Sequence, residues 1–251
     1  MDSKERFSSR VDQYVKYRPS YSDEVIQYLY ETVGFRPESV IADVGAGTGI
    51  FTKLLLEQGS NVIAVEPNAD MRQAAVEQLN GNPNFHAASG SAEETGLTDH
   101  SVDFIVCAQS FHWFDRTAAK AEFRRILKPG GKAVLIWNSR LTTGTPFLEG
   151  YDRLLRTYGI EYEKVGHKNI SQDSLIPFFK DGGLHKAIFP LIQPLNFEQL
   201  SGRMSSSSYV PLPGHPNYEP LMKELQQLFD ATEQNGQISF DYETEIYWGE
   251  I

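Results

Sequence analysis

The chain has 251 residues, 40% of them hydrophobic, a single cysteine, and a formal net charge of −10 from 33 Asp and Glu against 23 Lys and Arg. That length carries one sizeable domain, or a domain with a small cap. The acidic balance shows no basic face for gripping phosphates, which argues against a nucleic-acid partner, and the lone Cys107 rules out an internal disulfide and fits a reducing compartment. No apolar run approaches the ~18 residues of a membrane span, and the N-terminus is polar, so the expected setting is cytoplasmic, with no membrane contact.

Residues 1–21 place Phe7, Tyr14, Tyr17 and Tyr21 among polar neighbours, with Arg18 and Pro19 between them. Rings at that density are costly to expose, so the segment is expected to pack over something. Ser22 caps a helix whose apolar face is Val25, Ile26, Leu29, Tyr30 and Val33, and Gly34 ends it. Val40 to Val44 reads as a strand, followed by Gly45-Ala46-Gly47-Thr48-Gly49 and a helix from Ile50 to Glu57. Alternate glycines let the backbone take positive φ, turn sharply off the strand and approach a ligand closely. Strand, glycine turn and helix together are the architecture of a nucleotide site in a parallel sheet. The dinucleotide fingerprint needs a further glycine where Ile50 stands, which disfavours a nicotinamide cofactor.

A second strand, Asn61 to Val65, closes on Glu66-Pro67-Asn68. An acid in that place, 21 residues beyond Gly45, is suited to accept both hydroxyls of a ribose. The spacing of Met71, Ala75 and Leu79 predicts a helix over 68–79, and Phe85 to Ala88 a short third strand, with His86 on its face. Ser101 to Ala108 is the fourth strand, with Cys107 as a small core residue. It delivers Gln109-Ser110-Phe111-His112-Trp113-Phe114-Asp115 at its carboxyl end, where open α/β sheets bind ligands. Phe111, Trp113 and Phe114 are expected to wall off water and to face a cation. His112 reads as a general base or as a residue that orients the loop.

A helix over 116–127 turns through Leu127-Lys128-Pro129-Gly130-Gly131-Lys132 into a fifth strand, Ala133 to Trp137. Helical spacing recurs from Pro146 to Tyr158 and around Leu221, Leu225 and Phe229, and His185 to Asn196 is a candidate sixth strand. Ser205 to Ser208 reads as a loop, a linker or part of a cap. Gln237 to Trp248 alternates with its even-numbered residues inward, as a last, antiparallel strand. No cluster has metal-ligand spacing, and no metal is expected.

The run Asp43-x-Gly45-x-Gly47-x-Gly49 resembles the motif of the class I S-adenosylmethionine-dependent methyltransferases, of the type 11 domain family. Leu127-Lys128-Pro129-Gly130-Gly131 resembles a second mark of that family, and the two marks lie within residues 40–137. The order Phe7, Tyr14, Tyr17-Arg18-Pro19, Tyr21 and the Phe111-His112-Trp113 loop resemble the small-molecule group around trans-aconitate methyltransferase. The resemblance implies an α/β, Rossmann-like class I methyltransferase fold: a seven-stranded, mostly parallel sheet with helices on both faces and a small lid or cap. Residues 1–21 form the expected lid and 22–140 the S-adenosylmethionine-binding core. Residues 141–251 supply cap elements and the last two strands of the same domain.

The cofactor implied is S-adenosylmethionine, leaving as S-adenosylhomocysteine. Its expected contacts are Tyr14, Arg18, Asp43, Gly45, Ala46, Gly47, Thr48, Gly49, Glu66, Pro67, Ser91, Ala92, Glu93, Ala108 and Gln109. The acceptor implied is a small molecule, with a carboxylic acid favoured, touched by Tyr17, Phe111, His112 and Trp113, and with His112 and Gln109 as catalytic candidates. Arg18 is assigned to a carboxylate, either the acceptor's or the cofactor's own. Enzymes of this fold that methylate nucleic-acid amines carry an Asp- or Asn-Pro-Pro-aromatic turn where this chain has Ala108-Gln109-Ser110-Phe111, which argues against that chemistry. A non-catalytic cofactor-binding subunit or sensor keeps the same cofactor motifs.

Overall fold

The computed structural model describes residues 16–160, 162 and 171–251; the expected lid residues Phe7 and Tyr14 lie outside them. Its centre is one sheet of seven strands: β1 (Val40–Val44), β2 (Asn61–Val65), β3 (Phe85–Ala88), β4 (Val102–Ala108), β5 (Leu127–Arg140), β6 (His185–Leu195) and β7 (Ile238–Gly249). They lie in the order β3-β2-β1-β4-β5-β7-β6. The pairs among β1 to β5 are parallel, and β7 runs antiparallel to both β5 and β6. The chain folds outward from β1 to β3, then returns to lay β4 on the other side of β1. That reversal opens a crevice above the carboxyl ends of β1 and β4.

The strands follow from their residues. β1, β2 and β4 are short runs of Val, Ile and Ala buried by helices on both faces. Pro190 and Pro194 remove two ladder donors from β6, which is tolerable because β6 is the sheet edge. In β7 the even-numbered residues Ile238, Phe240, Tyr242, Thr244 and Ile246 are buried, as the alternation predicts.

The helices are α1 (Asp23–Tyr28), continued by a π-turn over Leu29–Val33, then α2 (Ile50–Glu57), α3 (Ala69–Leu79), α4 (Arg116–Ile126), α5 (Pro146–Tyr158), α6 (Gln172–Leu175), α7 (Phe197–Ser205) and α8 (Tyr218–Thr232). Asn68, Asp115 and Thr145 cap α3, α4 and α5 with side-chain acceptors, satisfying amide donors the helices leave open. One core packs α1, α2 and α3 on the sheet through Leu29, Leu55, Ala75 and Ile41. A second packs Phe123 and Ile126 of α4 on the other face, with Cys107 fully buried within it. A third joins α5, α7 and α8 to the first half of β7 through Tyr151, Leu200, Leu225 and Phe240. The last strand is thus shared between the sheet core and a helical cap that stands beyond the end of β5.

Two expectations are corrected. The Leu-Lys-Pro-Gly-Gly run is not a turn ahead of the fifth strand but a bulged stretch inside it, since Val102 pairs with Leu127 and Phe104 with Lys132. Of the three readings of Ser205 to Ser208, the linker is the one set aside: Ser206 and Ser207 are fully buried where α7 ends against the cap. Among the described residues no helix is long and apolar enough to cross a membrane, and no group of His, Cys, Asp and Glu has the arrangement of a metal site.

Candidate cofactor and acceptor site

A cavity of about 480 Å³ opens above the carboxyl ends of β1, β2, β4 and β5. Its floor is the glycine loop, and the loop's geometry explains its residues. Gly45 has φ 72°, and a Cβ there would sit 2.5 Å from Cβ of Ser110. Ser110 in turn donates from Oγ to the carbonyl of Val44 at 2.7 Å, binding the loop after β4 to the end of β1. Gly47, at φ 58°, donates its N–H to Glu66 Oε2 at 2.8 Å. The other oxygen of Glu66 accepts from the Asn68 N–H at 2.8 Å, so one carboxylate locks the glycine loop to the end of β2. Gly49 serves a different purpose: a Cβ on it would meet Leu79 at 2.7 Å, in the packing of α2 on α3. Thr48 and Gly49, expected as cofactor contacts, therefore stand behind the loop and do not line the cavity.

The acids at this end are desolvated. Asp43 is buried, and burial pushes its carboxyl up to about 7, against the hydrogen bond from Thr52 and with a further push from Glu66. Its Oδ2 accepts from Thr52 Oγ1 at 2.6 Å, while Oδ1 has no hydrogen-bond partner. Burial also raises Glu66, opposed by the amides of Asn68 and Gly47. Both carboxylates line the cavity. A buried carboxylate oxygen without a partner awaits a donor. The residues present therefore fit S-adenosylmethionine, whose ammonium, sulfonium and ribose hydroxyls are cationic groups or donors.

Beyond β3, Ser91 and Glu94 close a tight turn by reciprocal backbone bonds, and Ser91, Ala92 and Glu93 line the cavity. Glu93 accepts the Asp115 N–H at 3.0 Å, tying this turn to the loop after β4. At the end of β4, Ala108 and Gln109 line the cavity, and Gln109 holds φ 62°. A non-glycine residue in the left-handed region costs of order 1 kcal/mol or more, a strain typical of ligand sites.

The aromatic loop divides. His112, Trp113 and Phe114 line the cavity. Phe111, expected against the acceptor, does not: it is fully buried, with its ring 4.7 Å from Phe178 and 6.3 Å from Trp137. Residues 111–113 form a single 3-10 turn, which sends Phe111 down into the second core and its neighbours up. Trp137 donates its indole N–H to His112 Nδ1 at 3.4 Å. An indole only donates, so Nδ1 holds a lone pair and the neutral ring carries its proton on Nε2.

The described part of the N-terminal segment crosses the cavity as a strap. Tyr21 packs edge-on against Phe51 at 4.8 Å, the Ser20 carbonyl accepts from Asn138, and Arg18 donates to the Ser206 carbonyl at 3.0 Å. Arg18, Pro19 and Tyr21 line the cavity. Tyr17 does not; its ring lies on Gly202 and its hydroxyl on Glu198, outside α7, so it is corrected from acceptor contact to strap anchor. Tyr14 lies outside the described residues.

The cap end of the cavity holds residues that sequence reasoning did not single out. Arg140 and Arg156 both bond Asp152 at 2.8 Å, and Tyr162 joins them, donating to Asp152 and accepting from Arg140 at 2.6 Å. Arg203 is 6% exposed and bonds only hydroxyls: Tyr242 at 3.1 Å, Ser207 at 3.1 Å and Ser206 at 3.5 Å. No carboxylate among the described residues pairs with it. Burial pulls its pKa down, but Tyr242, Tyr209 and Tyr151 outweigh that and keep it protonated. The positive field is felt by Tyr209: burial pushes its phenol up, yet Arg203, Arg18 and Arg140 bring it below the ordinary value. The available signal was an arginine in the middle of an amphipathic helix, at Met204's side and among buried neighbours.

Comparison with known proteins agrees with this geometry. Residues 42–135 match the methyltransferase domain family. An uncharacterised methyltransferase-like protein of Schizosaccharomyces pombe is 29% identical over 97% of this chain and 94% of its own. An uncharacterised methyltransferase of Mycobacterium bovis is 41% identical, with the match covering 53% of this chain and about half (52%) of that one. Among solved structures, one from Anaeromyxobacter dehalogenans, provisionally described as a type II methyltransferase, superposes with a TM-score of 0.70 at 21% identity over 93% of this chain and 98% of that one. A phosphoethanolamine N-methyltransferase of Haemonchus contortus, in complex with S-adenosylhomocysteine, gives 0.57 at 14% identity over 99% of this chain and 58% of that one. With the glycine loop and the domain match together, residues 42–135 form a methyltransferase domain, and the sheet order gives the chain the fold of the class I S-adenosylmethionine-dependent methyltransferases.

Proposed function

We propose that the chain transfers a methyl group to a small anionic acceptor, with a carboxylic acid as the substrate class. One observation carries this reading: the cavity that begins at the glycine loop ends at Arg203, a buried guanidinium that among the described residues bonds hydroxyls and no carboxylate. Burying a charge without a counter-charge costs several kcal/mol, and a site that keeps one is suited to an anion. Planar, forked donors match a carboxylate in particular.

The cofactor, when bound, supplies a methyl on a sulfonium that leaves its bonding electron pair on sulfur. The residues of the chain bind and align. Glu66 is assigned to the ribose hydroxyls, Asp43 Oδ1 to a cationic group, and Gly45, Ala46 and Gly47 to close backbone approach. Pro67, Ser91, Ala92 and Glu93 are assigned to the adenine side, and Ala108 and Gln109 to the transfer point at the end of β4. A carboxylate oxygen is already a nucleophile, so no base is required. His112, whose Nδ1 is engaged by Trp137, is assigned as an Nε2–H donor that orients the acceptor beside Trp113. Strap and cap exclude water, which strengthens every charge interaction inside. On this reading residues 16–21 are the described end of the lid, 22–140 the cofactor core, and 141–251 the cap and last strands of one domain.

The test is formation of S-adenosylhomocysteine with panels of small acids, and of their amides and alcohols. Acids alone should turn over, with R203Q raising KM by about 100-fold or more, in line with loss of a buried charged hydrogen bond. Equal turnover of amides and acids refutes the anionic acceptor.

A further inference from the structure

We infer that the cationic chamber couples the two ligands: an anionic acceptor and S-adenosylmethionine strengthen each other's binding, S-adenosylhomocysteine lacks this coupling, and Arg203 sets it. This inference rests on the anionic-acceptor reading above.

The coupling is one of charge. Arg203 lies in α7 against Tyr242 of β7, and the transfer point lies at the end of β4. β4 and β7 are separated by β5, and Tyr242 pairs with Arg140, four residues beyond the Ile136 that pairs with Ala108, so the two places are roughly 16 Å apart. Both open on the same cavity. No carboxylate among the described residues pairs with Arg203, and the one that faces the neighbouring guanidiniums, Asp152, is already held by Arg140, Arg156 and Tyr162. The lowered pKa of the Tyr209 phenol reports the same positive field.

A sulfonium therefore enters a cavity in which a fixed cation is already buried. An anion seated between them relieves both charges at once. S-adenosylhomocysteine has the same shape without the sulfonium charge, so it gains nothing from the anion. Linkage makes the effect reciprocal: whatever the acid does for the cofactor, the cofactor does for the acid. An anion seated between the two places lies on the order of 10 Å from the transfer point, and a unit charge felt across that distance of partly dry protein changes affinity by about tenfold. Methyl transfer also removes the negative charge of the acceptor, so the guanidinium that held the acid does not hold its ester.

The experiment is calorimetric titration of the full chain with sinefungin, which carries a positive amine at the sulfonium position and transfers no methyl, and with S-adenosylhomocysteine. Each titration is run with and without saturating glutarate, and with glutarate dimethyl ester as the neutral control. The expected result is that glutarate raises sinefungin affinity about tenfold and leaves S-adenosylhomocysteine unchanged. The ester should change neither. R203Q, which loses the acid's partner, should erase the difference at the glutarate concentration that saturates the wild type, and R203K, which keeps the charge, should retain most of it. Equal enhancement of both cofactor analogues, or a difference that survives in R203Q, overturns the coupling while leaving the anionic acceptor standing. If glutarate, tricarballylate and benzoate all fail to bind in any state, the anionic acceptor falls and the coupling with it.

Discussion

Asp43 offers a quantitative test of how the glycine loop holds a cationic cofactor. Its carboxyl is fully buried, titrates at about 7 and leaves Oδ1 without a partner. In the free protein at pH 5.5 or so the group is mostly protonated, and a cation placed against Oδ1 must expel that proton. Below about pH 7 the affinity for S-adenosylmethionine should therefore rise by close to tenfold per pH unit, and it should level off above. Between about pH 5.5 and 8 that amounts to roughly 30-fold.

Stability should move the opposite way. The folded pKa is raised above the unfolded value near 3.8, so the folded state binds the proton more tightly. The free protein loses stability as pH climbs from about 4 through 7, by at most about 4 kcal/mol. Calorimetric titration and thermal melting across this range, on wild type and D43N, isolate the contribution of Asp43. D43N should flatten both slopes, melt higher than wild type at pH 8, and bind cofactor weakly at every pH. A D43N protein with the wild-type pH slope in cofactor affinity would refute the assignment.

Three further outcomes follow from the packing. G45A adds a Cβ 2.5 Å from Ser110 at a φ of 72°, and should cost at least about 2 kcal/mol and loosen the loop after β4, read by denaturant unfolding. F111A should destabilise by about 3–5 kcal/mol, since the ring is core; a stable F111A protein with only a raised KM would return Phe111 to the acceptor. E66A should abolish measurable cofactor binding by calorimetry and also lose about 1–3 kcal/mol of stability, because two backbone amides lose their acceptor; unchanged affinity removes the ribose assignment.

What the sequence determined by itself was local. The glycine loop was legible because positive φ at alternate positions is a property of the residue type, and Gly45, Gly47 and Gly49 all adopt it. Glu66 was legible because a strand of known length after a helix of known length puts one residue at the carboxyl end of β2. The last strand was legible because a period of two survives any tertiary context.

Tertiary structure decided what depends on contacts between distant segments. Phe111 and Trp113 have the same chemistry two residues apart, and only the turn they form sends one to the core and the other to the cavity. The buried serines after α7 stayed open between loop, linker and cap because composition cannot show that an arginine one turn back bonds them. The cluster of guanidiniums at the cap end was the least visible of all. Arg140 and Arg203 are brought together because Arg140 pairs with Tyr242 across β5 and β7, and Tyr242 in turn accepts from Arg203. Whether a charge is neutralised is a fact about neighbours in space, so a chain of net charge −10 can enclose a positive site that no residue count reveals.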